Sequence, residues 1–147
     1  MLLSDLGGNS MVFTSTTDPE WVPSPFPGVA YKFLKLGGSA PAVVALRKID
    51  AGANMPPHLH TTIERNYLIS GKAQLLDGTV IEAGNYMEIP AGVRHGLTAI
   101  EECTFHDSYD GALVWVDDAG AMIFVNTSGG FDSLGTMNAP NGQNLDI

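Results

Sequence analysis

Glycine and proline punctuate the whole chain and divide it into short apolar segments. Its 147 residues include seventeen Gly and nine Pro. Short apolar segments bounded by turn-forming residues favour brief β-strands over long helices. No stretch keeps the 3.6-residue periodicity of an amphipathic helix, so we expect little helix. The sequence predicts an all-β domain, either a sandwich or a barrel, and the jelly roll is one such architecture.

The predicted strands are rich in β-branched and aromatic residues and are separated by turn signals such as Gly37-Gly38-Ser39 and Asp77-Gly78. They cover residues 28–36, 41–49, 66–69, 73–76, 79–81, 86–89, 104–109, 112–116 and 121–125. Residues 21–28 contain too much proline for a central strand and could form a fixed lid or a plain surface connection. Residues 126–147 have little apolar content, and we expect an irregular C-terminal tail that could lie across a neighbouring subunit.

Composition limits the class of protein. The length fits a single domain over residues 1–147. The formal net charge of −9 argues against nucleic acid as a partner, because such binding needs clustered Lys and Arg. A single cysteine, Cys103, cannot form an intrachain disulfide, and we expect it to be a buried, inert thiol in a reducing compartment. We expect no signal peptide and no membrane span, and therefore a cytoplasmic protein.

Three of the four histidines fall in two short segments with the donors of one metal site. His58 and His60 are two residues apart, so on an extended strand they project from the same face with Cα atoms roughly 6.6 Å apart. Glu64 adds a carboxylate and His95 adds a third imidazole. Because a straight strand would separate His60 from Glu64 by about 13 Å, the chain must bend at residues 61–62. Three nitrogens and one carboxylate oxygen suit a divalent first-row metal.

The two segments resemble the cupin motifs. The first fits the pattern G-x5-H-x-H-x3-E-x6-G, with Gly52, His58, His60, Glu64 and Gly71 at the specified positions. The second fits G-x5-P-x-G-x2-H, with Gly84, Pro90, Gly92 and His95, and Ala99 stands where an Asn usually closes the motif. The resemblance spans residues 52–99. It implies a cupin (RmlC-like) jelly-roll β-barrel in which His58, His60, Glu64 and His95 hold one metal ion near the centre.

Two further segments, residues 21–34 and 112–123, resemble small cupins related to dihydroxyacetophenone dioxygenase, to the acetylacetone-cleaving dioxygenase and to the cupin domain of an anti-sigma factor. This resemblance implies a dioxygenase that uses Fe2+ and O2 to cleave a C–C bond in a small diketone or hydroxyketone. Its three-histidine iron site corresponds to His58, His60 and His95. The acetylacetone enzyme has no glutamate where this chain has Glu64, which could act as a ligand or as the base. Zn2+, Ni2+ or Mn2+ could replace Fe2+.

Several other residues could serve the site. Tyr67, Tyr86, Met87 and Phe105 could line a substrate pocket, although such residues in strands usually belong to the core. His106 could face the cavity as a second-shell hydrogen-bond donor, but an exposed position is the commoner one for a lone strand histidine. Arg65 and Arg94 flank ligands and could bind an anion or form surface salt bridges.

Other functions stay open at the level of sequence. A non-enzymatic metal-binding or sensor cupin, like the anti-sigma cupin domain, is the first alternative, although we find no helical domain for gripping a sigma factor. A sugar-type isomerase is the second, but basic substrate-binding residues are scarce here. We expect a homodimer or higher homo-oligomer, because jelly rolls can associate through edge strands.

Overall fold

The computed structural model describes residues 11–137 and 145–146. These residues form β-strands and no helix, which confirms the all-β expectation. They also contain no helix of the length and apolar character that a membrane crossing requires. The strands are β1 (Val22–Pro23), β2 (Val29–Leu36), β3 (Val43–Ile49), β4 (Asn54–Leu59), β5 (Glu64–Ser70), β6 (Lys72–Leu75), β7 (Val80–Glu82), β8 (Tyr86–Ile89), β9 (His95–Ala99), β10 (Cys103–Tyr109), β11 (Val114–Asp117), β12 (Ala121–Val125), β13 (Phe131–Met137) and β14 (Leu145–Asp146).

The described strands assemble into two antiparallel sheets. One sheet has the order β1-β2-β3-β10-β5-β8, and the other has the order β14-β13-β12-β11-β4-β9-β6-β7. Neighbours in each sheet are often distant in sequence, and the chain passes repeatedly from one sheet to the other, as in a jelly roll. The two hydrogen-bonded ladders stay separate in the described residues rather than closing into one continuous barrel.

Side chains that alternate along β3 and β10 fill the space between the sheets. In β3 every second residue is buried, and the same holds in β10, where Cys103, Phe105 and Tyr109 face inward. Each strand also places one charged residue among its apolar ones, Arg47 in β3 and Asp107 in β10. Burial raises the pKa of the Cys103 thiol. Cys103 is therefore the buried thiol that the sequence led us to expect.

The structure corrects the expectation of an irregular tail over residues 126–147. Strand β13 lies within that range, pairs antiparallel with β12, and is itself paired with β14. The ring of Phe131 packs against Tyr31, Phe33 and Trp115. The polar composition of this segment does not predict a strand. Pairing with β12 and β14 and the packing of the Phe131 ring hold the strand in place. Residues 138–144 and 147 of the predicted tail lie outside the described residues.

Three further expectations from the sequence concern the first ten residues, the proline-rich segment and strands β4 and β9. The first ten residues, where we expect no signal peptide, also lie outside the described residues. The proline-rich segment forms only the two-residue edge strand β1, in agreement with its exclusion from the sheet interior. Strands β4 and β9, which carry His58 and His95, are missing from the predicted set because Pro56, Pro57 and Gly96 interrupt their apolar runs.

The last glycine of the first motif supports a specific prediction about stability. Gly71 and Gly84 both have a φ of 98°, where any L-residue is strained. A Cβ at Gly71 would lie 2.8 Å from the Cα of Cys103 and would overlap the carbonyl of Glu102, whereas a Cβ at Gly84 meets nothing within 4 Å. We expect Gly84→Ala to lower the free energy of unfolding by about 1–2 kcal/mol, and Gly71→Ala to lower it by about 3 kcal/mol or more. Urea unfolding of both variants measures this, and equal losses would contradict it.

Candidate metal centre

Adjacent strands of the larger sheet bring the first and second motifs together. His58 lies near the end of β4, His60 follows that strand directly, and His95 begins β9. In the antiparallel β4–β9 pair, His58 lies opposite His95. The extended backbone then directs His60 to the same side as His58, as the spacing predicts.

The three imidazoles converge. One nitrogen from each of the three rings lies within 4.8 Å of the other two, and the ring centroids are 4.3 to 5.0 Å apart. His58 is 3% exposed and His60 is 2% exposed, while His95 is partly buried. The predicted clustering of the three histidines is confirmed.

Each of these rings is held by a backbone carbonyl. Nδ1 of His58 lies 2.7 Å from the oxygen of Pro56, Nδ1 of His60 lies 2.7 Å from that of Val114, and Nδ1 of His95 lies 2.8 Å from that of Val93. A carbonyl oxygen can only accept, so in each ring Nδ1 carries the hydrogen and donates. When such a ring is neutral, Nε2 keeps its lone pair and can bind a metal ion. Such hydrogen bonds are the usual means of orienting metal-binding histidines.

Burial keeps two of the rings, His58 and His60, neutral. Burial, together with the neighbouring His95 and His60, lowers the pKa of His58 to about 3. Burial also lowers the pKa of His60, although Glu64 opposes this effect. Neutral imidazoles are the form that binds metal, so little proton competition is expected at these two rings near neutral pH.

Glu64 approaches the same point from the other sheet. The chain bends at Thr61–Thr62, as predicted, and Glu64 begins β5. Its Oε1 lies 3.6 Å from Nε2 of His60 and 3.3 Å from Nε2 of His95. Burial raises the pKa of Glu64, but His95 and His60 outweigh burial and lower the pKa overall, so the carboxylate is ionised.

A buried polar network holds the second oxygen of this carboxylate. The hydroxyl of Tyr109 donates to Oε2 of Glu64 at 2.6 Å. Burial, then Asp107 and Glu64, raise the pKa of Tyr109 well above its usual value near 10, so this hydroxyl keeps its proton. The guanidinium of Arg47 lies 2.9 Å from Asp107 and 4.0 Å from Glu64. The network therefore leaves Oε1 of Glu64 as the oxygen that faces the histidines.

Sequence reasoning missed this network, although a signal was present. Arg47, Asp107 and Tyr109 occupy the inward positions of two strands whose other inward residues are apolar. A charged residue in phase with a buried face needs a buried partner. The pairing of Arg47 with Asp107 meets that need.

The donor set fits a divalent cation on two grounds. First, Oε1 of Glu64 lies 3.3 Å from Nε2 of His95 and 3.6 Å from Nε2 of His60, so one cation placed among these atoms could be bound by all of them. Second, a cation would neutralise the buried carboxylate of Glu64, since Arg47, the only buried Lys or Arg among the described residues, lies 2.9 Å from Asp107 but 4.0 Å from Glu64. Three neutral nitrogens and one carboxylate oxygen can hold Fe2+, Zn2+, Ni2+ or Mn2+.

A cavity of about 260 Å³ lies beside this site. Glu64, His95, Arg47 and Asn66 supply polar lining. The apolar lining comes from Leu75, Leu76, Met87, Ile89, Pro90, Val93 and Leu97. The volume and the apolar character suit a small organic ligand.

Of the four predicted pocket residues, Met87 alone lines this cavity. Tyr67 and Tyr86 are 45% and 57% exposed, and Phe105 is completely buried against the guanidinium of Arg47, so those three predictions are wrong. The reason is that successive side chains of a strand point to opposite faces. Glu64 and Asn66 face inward on β5, so Tyr67, which lies between Asn66 and Leu68, must face outward.

The hypothesis that His106 serves the site is also wrong. His106 is exposed, because its strand neighbours Phe105 and Asp107 occupy the inward positions. The two arginines beside the ligands form salt bridges, as the commoner interpretation held. Arg65 pairs with Asp110 at 2.9 Å, and Arg94 binds both carboxylate oxygens of Asp118 at 2.8 and 2.7 Å.

Comparison with known proteins agrees with this geometry. The family model of the ChrR cupin-like domain matches residues 9–110. The chain belongs to this family. The cupin resemblance read from the motifs is thereby confirmed, and the family match also covers the polar network at Arg47, Asp107 and Tyr109. Among curated proteins, none matches the chain by sequence.

Solved structures share the fold at low identity. An RmlC-like cupin from Ralstonia eutropha is 20% identical, with 83% of this chain and 80% of that chain covered and a TM-score of 0.60. An acetylacetone dioxygenase from Acinetobacter johnsonii is 20% identical, with 88% and 85% covered and a TM-score of 0.56. The anti-sigma ChrR in complex with SigE, from Rhodobacter sphaeroides, is 22% identical, with 65% and 51% covered and a TM-score of 0.55. These similarities establish the cupin jelly roll.

The geometry predicts which histidines bind metal. We expect the wild type to bind one Zn2+ per chain and His60→Ala to weaken binding by about 100-fold or more, since a ligand and its carbonyl-oriented Nε2 are lost. His106→Ala is the matched control, because that ring is exposed. Competition with a chromophoric chelator measures both. Unchanged binding in His60→Ala, or lost binding in His106→Ala, would contradict the assignment.

The hydrogen bond from Tyr109 to Glu64 predicts a smaller effect on metal affinity. Tyr109→Phe removes the hydrogen bond that orients Glu64, and we expect Zn2+ affinity to fall about tenfold. Tyr67→Phe removes an exposed hydroxyl and should leave the affinity unchanged. The same chelator competition, with thermal unfolding to verify the fold, tests this. Equal affinities in the two variants would mean that Tyr109 does not position the carboxylate.

Proposed function

We propose that this protein is a metal-dependent dioxygenase that cleaves a C–C bond in a small diketone or hydroxyketone. The observation that carries the proposal is the set of three converging histidines, of which His95 lines a small, mainly apolar cavity together with Glu64. The similarity in fold to an acetylacetone dioxygenase supports the same reaction class.

The chain's own residues would divide the work in a simple way. His58, His60 and His95 hold the ion through Nε2, with Fe2+ as the metal that suits oxygen chemistry. Glu64 acts as a fourth ligand through Oε1 rather than as the base, because a general base works best with a pKa near the operating pH and the pKa of Glu64 is lowered. The apolar lining of the cavity holds the carbon skeleton of the substrate and excludes water.

When bound, ferrous iron would supply Lewis acidity toward the substrate oxygen and a site for O2. Both atoms of O2 enter the products, an acid and a carbonyl compound from a diketone or two acids from a hydroxyketone, so the overall reaction needs no external reductant. We also propose a cytoplasmic homodimer or higher homo-oligomer with O2 and the ketone as its small-molecule partners. The single buried thiol and the exposed edge strands support this setting.

A non-enzymatic metal-binding or sensor role is the alternative. The specific observation in its favour is the family match to the ChrR cupin-like domain, together with the fold similarity to the anti-sigma ChrR. In that case the same histidines would bind metal, and the metal would transmit a signal rather than perform chemistry.

Oxygen uptake separates the two roles. We expect the Fe2+-loaded protein to consume O2 with a β-diketone or an aryl hydroxyketone, and His60→Ala to abolish uptake because it removes a ligand. His106→Ala should keep the wild-type rate. An oxygen electrode measures uptake across the substrate panel. Tight Zn2+ or Fe2+ binding without uptake on any member of the panel would reject the dioxygenase and favour the sensor.

A further inference from the structure

Asn66 is a buried amide for which the described residues offer no hydrogen bond at its oxygen. It lies two residues after Glu64 on the inward face of β5, about 6.6 Å away along the strand. It is 2% exposed, lines the cavity beside the metal centre, and its Oδ1 has no partner among the described residues. The metal-binding network of Tyr109, Arg47 and Asp107 does not engage it.

An amide in this state destabilises the fold it occupies. A buried polar atom without a partner loses its hydration and gains nothing in return. A leucine of similar volume at this position would avoid that penalty. The presence of the amide here is thus explained by a group that reaches it through the cavity and not by the packing of the protein.

The charges around the cavity restrict what that group can be. Arg94 is bound to both oxygens of Asp118, and Arg47 is bound to Asp107. The acidic residues lining the cavity are Glu64, Asp77 and Glu88. Because the arginines are already paired and acidic groups line the cavity, an anionic ligand is disfavoured. The volume of about 260 Å³ lies below the usual range for drug-sized ligands, so the ligand is small and neutral.

We propose that Asn66 determines specificity by binding the second oxygen of a small, neutral ketone whose first oxygen faces the three histidines. A carboxamide has both an acceptor and two donor hydrogens, and rotation of the amide exchanges them, so it serves a second carbonyl or a hydroxyl equally well. This inference rests on the proposed function only in placing a ligand oxygen at the metal centre. The apolar walls formed by residues such as Leu75, Met87 and Leu97 then contact the substituents.

The test uses ligand binding without oxygen chemistry. The full chain is loaded with Zn2+, which has no redox activity, and titrated in a calorimeter with acetylacetone, with 2-pentanone, which lacks the second oxygen, and with the anion acetoacetate. We expect acetylacetone to bind best. Asn66→Leu should weaken acetylacetone about tenfold, the loss of one hydrogen bond, and leave 2-pentanone and Zn2+ affinities unchanged. Asn54→Leu is the matched control, because Asn54 is exposed and lies outside the cavity lining.

Thermal unfolding provides a second readout. Asn66→Leu should melt at the wild-type temperature or above, since no internal hydrogen bond of Oδ1 is lost. A lower Tm would show that Asn66 is structural and would overturn the proposal. So would unchanged acetylacetone affinity in Asn66→Leu, no binding of acetylacetone to the wild type, or tighter binding of acetoacetate.

The two proposals can fail separately. Ligand binding that depends on Asn66 in the Zn2+ form, without O2 uptake in the Fe2+ form, rejects the dioxygenase and keeps the ketone site. O2 uptake together with ligand affinities that ignore Asn66 keeps the dioxygenase and rejects the role of Asn66.

Discussion

The metal centre depends on three hydrogen bonds from imidazole Nδ1 atoms to backbone carbonyls. Two of these carbonyls, on Pro56 and Val93, lie two residues before the histidine they orient, and the third, on Val114, comes from strand β11. Because the backbone of two strands and of the loop before β9 supplies these acceptors, the fold itself places a hydrogen on Nδ1 of each ring. The Nε2 atoms are then directed toward one point, and burial keeps His58 and His60 neutral.

A buried polar network connects the three histidines to the smaller sheet. Glu64 crosses to the histidines from β5, and Tyr109 on the neighbouring β10 holds its other oxygen. Arg47 on β3 and Asp107 on β10 complete the network. The two sheets are therefore connected by charged groups as well as by apolar packing. A divalent cation among the three nitrogens and Glu64 would offset the buried negative charge of Glu64.

The sequence predicted best those features that depend only on residues close together in the chain. Spacing alone placed His58 and His60 on one face, and the required bend before Glu64 is present. Predictions of pocket residues from residue type failed, because the alternation of side chains along a strand decides which of them face inward. Tyr67 is aromatic and was assigned to the pocket, yet the inward position belongs to Asn66. Strand β13 could not be predicted, because its order comes from pairing with β12 and not from its own composition.

Nitrogen-15 NMR of the histidine rings tests the central claim most directly. The account predicts that Nδ1 carries a hydrogen in His58, His60 and His95 of the metal-free protein at pH 7, and that His58 and His60 are neutral. On addition of Zn2+ the Nε2 resonances of these three rings, and not that of His106, should shift. An Nε2–H tautomer in any of the three, or a Zn2+ titration that leaves their Nε2 resonances in place, would contradict it.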